Sequence, residues 1–233
     1  MKFKLFLLFV ACVAIALSYL YAPQVYRYYL TVYYHKILKM DEAAFVKKIE
    51  DAYKNNDYAT VQRYCDHGSM LYPANKKIKK YTGLYLLSQD NVKGAFILIA
   101  LDDIPNDTRQ LEKIINILDA NKSYKEVVMV VRKKGARTPL MQFCYGKALF
   151  FMGNDRQALI VLKQAYGTGI RESDYFIGAS YHHLKDYNNA LVWYKKALSR
   201  EPSNQEYIKA IASLYKQMGD YPEATQYIMR LQQ

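Results

Sequence analysis

The chain has 233 residues, 52% of them apolar, with only ten glycines and six prolines. That composition excludes a disordered chain and argues against a turn-rich β architecture. The net charge of +12 is uneven: residues 1–40 carry five Lys/Arg and no acid, and residues 108–138 carry eight Lys/Arg against three acids. A basic excess placed beside an apolar N-terminus and in one central stretch does not describe a nucleic-acid-binding surface.

The N-terminus reads MKFKLFLLFVACVAIALSYLYAP, two lysines followed by Leu5 to Ala22 without a charge. A helix over residues 5–22 just reaches across a hydrocarbon core. Two readings stand side by side. One is a signal peptide cut after Ser18, with Ala16 two residues before the cut. The other is an uncleaved single-pass anchor, residues 1–22. The anchor is favoured by Tyr19, Tyr21, Tyr26, Tyr28, Tyr29, Tyr33 and Tyr34, which belong at a membrane–water boundary, and by Arg27, Lys36 and Lys39, which reach headgroups from there. Residues 23–41 are then a Tyr-rich juxtamembrane helix. Lys2 and Lys4 favour an N-terminus inside, which places the rest of the chain on the non-cytoplasmic side; Arg27, Lys36 and Lys39 oppose this from further away. The same tyrosines could instead pack the first helix against the domain that follows.

Beyond Asp41 the helical pattern is nearly continuous to Gln233, so a period takes precedence over individual elements. Units start near residues 42, 76, 108, 139, 171 and 205, spaced by 31 to 34 residues. The unit from 42 holds Phe45, Asp57-Tyr58, Val61, Cys65 and Pro73. That from 76 holds Gly83, Leu86, Asn91 and Ala95. That from 108 holds Ile114-Ile115, Leu118, Tyr124, Val127 and Val131. That from 139 holds Gly146, Leu149, Gly153, Ala158 and Leu162. In the last two, Gly178, Tyr181, Asp186-Tyr187 and Ala190 recur 34 residues later as Ala212, Tyr215, Asp220-Tyr221 and Ala224. A small residue on the first helix and an alanine on the second let two helices approach closely. Asp or Asn at the turn caps the second helix. Pro73, Pro105, Pro139 and Pro202 fall at seams between units, where they break nothing.

This pattern resembles the tetratricopeptide repeat family. The resemblance implies an all-α fold, a right-handed α-solenoid of about six helix-turn-helix repeats over residues 42–233; the apolar run ahead of it is expected to add a transmembrane helix. It implies a scaffold that binds protein or peptide partners in a groove lined by the first helices, rather than an enzyme. The family's groove places fall on Phe143, Lys147, Phe150 and Phe151, then Tyr175, Ala179, His182 and His183, then Lys209, Ser213, Lys216 and Gln217. Adjacent Phe150 and Phe151 point about 100° apart, so one of them is expected in the core. The family's clamp for chaperone C-termini needs Lys and Asn together. Lys209 is followed by Ser213, and Asn116 is preceded by Glu112, so that clamp is not expected here.

No catalytic signature, phosphate loop or cofactor motif is present. His182 and His183 are adjacent, and helical metal pairs need a spacing of three or four, so no metal site is expected. Cys12, Cys65 and Cys144 read as free thiols, the residue type most often buried. Arg132, Lys133, Lys134 and Arg137 form a basic patch at a seam, suited to an acidic partner, a phospholipid or a nucleic acid, or else to a solvated loop. Tyr227, Ile228, Met229 and Leu231 cannot all face the preceding helix, so apolar surface is expected at the C-terminal edge, where a second copy or a subunit could sit.

Overall fold

The computed structural model describes residues 21–231. The expected span Leu5–Ala22 lies outside them except for its last two residues. Among the described residues no helix is long and apolar enough to cross a membrane. The described residues form helices and no strand. They divide into two compact units, one ending at Asp103 and one beginning at Ile104.

In the first unit, helix α1 (residues 21–31) passes into a π-helical stretch, Val32–Ile37. Then follow α2 (Glu42–Lys54), α3 (Tyr58–Leu71), α4 (Lys76–Ser88) and α5 (Val92–Ala100). The second unit holds α6 (Thr108–Ala120), α7 (Tyr124–Lys134), α8 (Pro139–Phe151), α9 (Asp155–Gly167), α10 (Ser173–His183), α11 (Tyr187–Arg200), α12 (Gln205–Gln217) and α13 (Tyr221–Met229). From α2 onward each even-numbered helix packs antiparallel on the odd one after it, making six pairs.

All six pairs turn the same way. Three residues link the helices, and the middle one is left-handed: Asn56, Asp90, Lys122, Gly153, Lys185 and Gly219, with φ between 55° and 82°. The third residue's N–H reaches back to the carbonyl five residues earlier, as in Asp186 to Tyr181 and Asp220 to Tyr215 at 2.9 and 3.0 Å. That bond satisfies a carbonyl the first helix leaves open. The same third residue often caps the next helix. Asp57, Asn91, Asp186 and Asp220 each accept a backbone N–H of the following turn. One short segment thus closes one helix and opens the other.

Close approach inside a pair depends on small residues. A Cβ on Gly94 of α5 would stand 2.5 Å from the Gly83 carbonyl oxygen and 2.5 Å from the Leu87 nitrogen, both backbone atoms of α4. Ala95, Ala158, Ala190 and Ala224 are buried at the matching places of α5, α9, α11 and α13.

The first unit's core gathers Phe45, Ile49, Val61, Tyr64, Cys65 and Ile78, and it includes Leu30 of α1 and Tyr34 of the π-helical stretch. The tyrosine-rich segment therefore has two faces. Tyr34 is 2% exposed and Tyr33 packs against the core, whereas Tyr21, Tyr26, Tyr28 and Tyr29 are exposed. In the second unit one core cluster joins Ala179, Ala190, Tyr194, Ile208, Ile211, Leu214 and Tyr215.

Candidate functional site

The first helices α8 and α10 of the second unit bring four phenylalanines together. Phe176 is the hub: its ring lies 5.8 Å from Phe143, 5.7 Å from Phe150 and 5.9 Å from Phe151. The first two approaches are edge-to-face, a favourable geometry for aromatic quadrupoles. Phe143, Phe150 and Phe176 are half-buried, and Phe151 is 50% exposed. Phe151 also stacks on Tyr124 of α7, 4.4 Å away and nearly parallel. Contrary to expectation, neither Phe150 nor Phe151 is buried in the core, although Phe150 leans on it.

Lys147 points along this face, with its ammonium 5.9 Å from the Phe176 ring centre. It is not a free cation. Its Nζ is 2.8 Å from Oδ2 of Asp119 on α6, and both side chains are largely covered. Asp119 Oδ1 is buried without a hydrogen-bond partner. The pair therefore presents no bare positive charge to a partner.

Tyr175 and His182 lie on a neighbouring stripe of α10. Tyr175 stacks on Tyr207 at 5.0 Å and tilts against Tyr194, so it belongs to the packing between α10 and the next pair. Burial raises its phenol pKa above the ordinary range. His182 Nε2 is 2.9 Å from Gln217 Oε1, and its Nδ1 is 3.4 Å from the Tyr194 hydroxyl. Because the amide oxygen can only accept, Nε2 carries the proton and Nδ1 accepts from the phenol. His183 stacks on Phe150 at 4.8 Å and sits 3.1 Å from Asp155 Oδ1. The α10 residues on the phenylalanine side are thus Phe176 and His183, seven apart and so on one stripe. Phe176 falls one residue past Tyr175, the place that corresponds to Phe143 in the repeat register, so the sequence pattern does not select it. Ala179 is buried, and Ser213 and Lys216 are exposed on α12.

The basic patch divides. Lys134 donates to Asn106 Oδ1 at 2.7 Å, and Arg137 donates to the Asn106 carbonyl, so these two tie down the segment before α6. Arg132 and Lys133 remain on the exposed face of α7.

Among the described residues, no three His, Cys, Asp or Glu side chains converge as metal ligands would. Cys65 and Cys144 are buried free thiols, and burial pushes them up to about 11 and about 12. A thiol held protonated at neutral pH is a poor nucleophile.

The family model of the tetratricopeptide repeat matches residues 175–204, which cover most of α10, its turn and α11. The repeat's small residue is Gly178, where a Cβ would stand 2.7 Å from the Tyr194 ring, and its turn is the Leu184–Asp186 link. Among solved structures, the chain is similar to MamA, residue 41 to the end, from Desulfovibrio magneticus RS-1. The two share 15% identity with a TM-score of 0.54, over 66% of this chain and 92% of that one. MamA of AMB-1 aligns at 14% identity and a TM-score of 0.53, over 65% of this chain and 94% of that one. At such identity the likeness is one of fold. No curated protein sequence matches the chain.

Proposed function

We propose that this protein is a membrane-tethered scaffold that binds protein partners on the phenylalanine face of α8 and α10, performing no chemistry itself. One observation carries the reading: Phe143, Phe150, Phe151 and Phe176 form a contiguous aromatic patch that stays partly open on adjacent first helices. Open apolar patches of this kind mark interaction sites. Aromatic rings supply large contact area at low entropic cost, as binding hot spots do. The Lys147–Asp119 and His183–Asp155 pairs beside the patch supply polar groups that orient a partner. Ser213 and Lys216 on α12 extend the same proposed surface.

The tether rests on the uncharged run Leu5–Ala22 and on the exposed tyrosines that follow it. Tethering raises the local concentration of a partner at one membrane face without adding contacts. A non-cytoplasmic position for the repeats follows from Lys2 and Lys4.

Affinity capture with the full-length chain in mild detergent tests the face. Phe151→Glu should remove the bound partners at a modest cost to the circular dichroism melt, because half of that ring is already in water and the rest stacks on Tyr124. Tyr175→Ala should lower the melt instead. An unchanged set of partners on Phe151→Glu would refute the site. Alkaline carbonate extraction with intact-mass analysis tests the tether separately. An intact chain in the pellet supports it, and a chain shortened at Ser18 and found in the supernatant would show a released module.

A further inference from the structure

We propose that the recess beside α7 is a second docking site, and that it takes an acidic protein segment carrying one large apolar side chain. Lys125, Val128, Met129, Arg132 and Lys133 line it from α7, and Met152 closes it from the α8–α9 turn, around a cleft of about 490 Å³. The α7 residues are spaced at i, i+3, i+4, i+7 and i+8, so they share one helical face. The parallel Tyr124–Phe151 stack holds the start of α7 against the end of α8. That contact brings Met129 and Met152 to the two sides of one recess. Both thioethers are open to water, at 43% and 45% exposure, while Val128 forms a buried floor.

The chemistry of the lining selects the occupant. Methionine is flexible and polarizable, so two of them accommodate a Leu, Phe or Met side chain without a fixed shape. Lys125 and Arg132 flank them and have no acidic or hydrogen-bonding partner among the described residues. They differ in this from Lys134 and Arg137, which are committed to Asn106. Residues 108–138 carry eight cations against three acids, so the field around the recess favours carboxylates. A bilayer surface would need apolar side chains that protrude, and these line a hollow. Single-stranded bases would stack on an aromatic platform, and none of the lining side chains is aromatic. The lining shares no residue with the phenylalanine face proposed above; Phe151 of that face holds α7 through Tyr124, so the variants that test the recess leave Phe151 in place.

The test uses the full-length chain in neutral detergent with methyl-¹³C methionine, whose eight methionines give a simple spectrum. The probe is a short fluorescein-labelled peptide of Glu and Asp with one central Phe. Met129→Leu and Met152→Leu assign the two signals. We expect the peptide to bind by anisotropy, to shift those two methyl signals alone, and to weaken as salt is raised. Lys125→Glu with Arg132→Glu should weaken it about tenfold, and replacing the central Phe by Glu should do the same. Both cations are exposed, so the double variant should keep its melt. The proposal is overturned by unchanged affinity in the double variant, or by methyl shifts elsewhere. It is equally overturned if dioctanoyl phosphatidylglycerol shifts the two signals and the peptide does not, which would make the recess a lipid site. Shifts caused by raising protein concentration alone would assign the recess to a second copy and would also overturn it.

Discussion

The hydroxyl of Tyr34 lies 2.7 Å from Nδ1 of His67, a residue 33 positions further along the chain. The other ring nitrogen, Nε2, is 3.1 Å from the hydroxyl of Tyr26. One imidazole therefore ties both α1 and the π-helical stretch to α3. A neutral imidazole has one donor and one acceptor, so it serves two phenols when one of them donates and the other accepts.

The first prediction concerns pH. Burial holds the His67 pKa below its ordinary value of 6.5; Asp66 opposes the shift and Arg63 adds to it. The unfolded chain then takes up the proton first. The associated stability is complete above the unfolded pKa and is lost as pH falls through the folded one. Thermal melts followed between about pH 7.5 and about pH 5.5 should show a larger fall in Tm for the wild type than for His67→Gln. Equal falls would mean that His67 carries none of the effect.

Gly94 tests the packing of the fourth pair member. Gly94→Ala must force α5 away from α4, because the new methyl would meet backbone atoms at 2.5 Å that cannot rotate aside. We expect a loss of about 1–3 kcal/mol in chemical denaturation. Gly167→Ala is the control, since its Cβ would meet nothing within 4 Å. It should be neutral or slightly stabilising. Similar losses for both would show that helix propensity rather than contact is being measured.

Asp174 is fully buried at the start of α10 and is paired with the Arg200 guanidinium, which also donates to the Arg171 carbonyl at 2.6 Å. Arg200→Met leaves a buried carboxylate without its partner. The expected cost is about 2–3 kcal/mol, below the full value for a buried pair because the arginine is partly in water. Adding Asp174→Asn should recover part of the loss. A double variant as unstable as the single one would show that packing, not charge, is the cause.

At the C-terminal helix α13 only Ala224 is buried, while Tyr221, Ile228 and Met229 are exposed. Tyr227 is not free for an interface, because it stacks on Tyr215 at 5.7 Å. If a second copy covers this edge, Ile228→Lys with Met229→Lys should turn a dimer into a monomer in light scattering of the detergent-solubilised chain. A wild type that is monomeric across the tested concentrations would exclude self-association there.

Much of the helical plan is legible in residues close together in sequence. Asp186 and Asp220 cap their helices through N–H groups three residues away. The carbonyl that each link satisfies is only five residues back. Such interactions close within one turn, so a linear pattern of Asp, Asn, Gly, Ala and Pro records them.

What tertiary structure alone decided are the partners across helices. That Lys147 is neutralised by Asp119, that Phe176 rather than Tyr175 joins Phe143, and that Tyr34 is buried while Tyr28 is open depend on how each helix is rotated and shifted against its neighbour. A shift of one residue turns a side chain by about 100°, enough to move it from core to surface. Crossing angle and register emerge from the summed packing of many side chains from separate helices. No single stretch of sequence contains that sum, and the surface that meets a partner is settled only when the helices have packed.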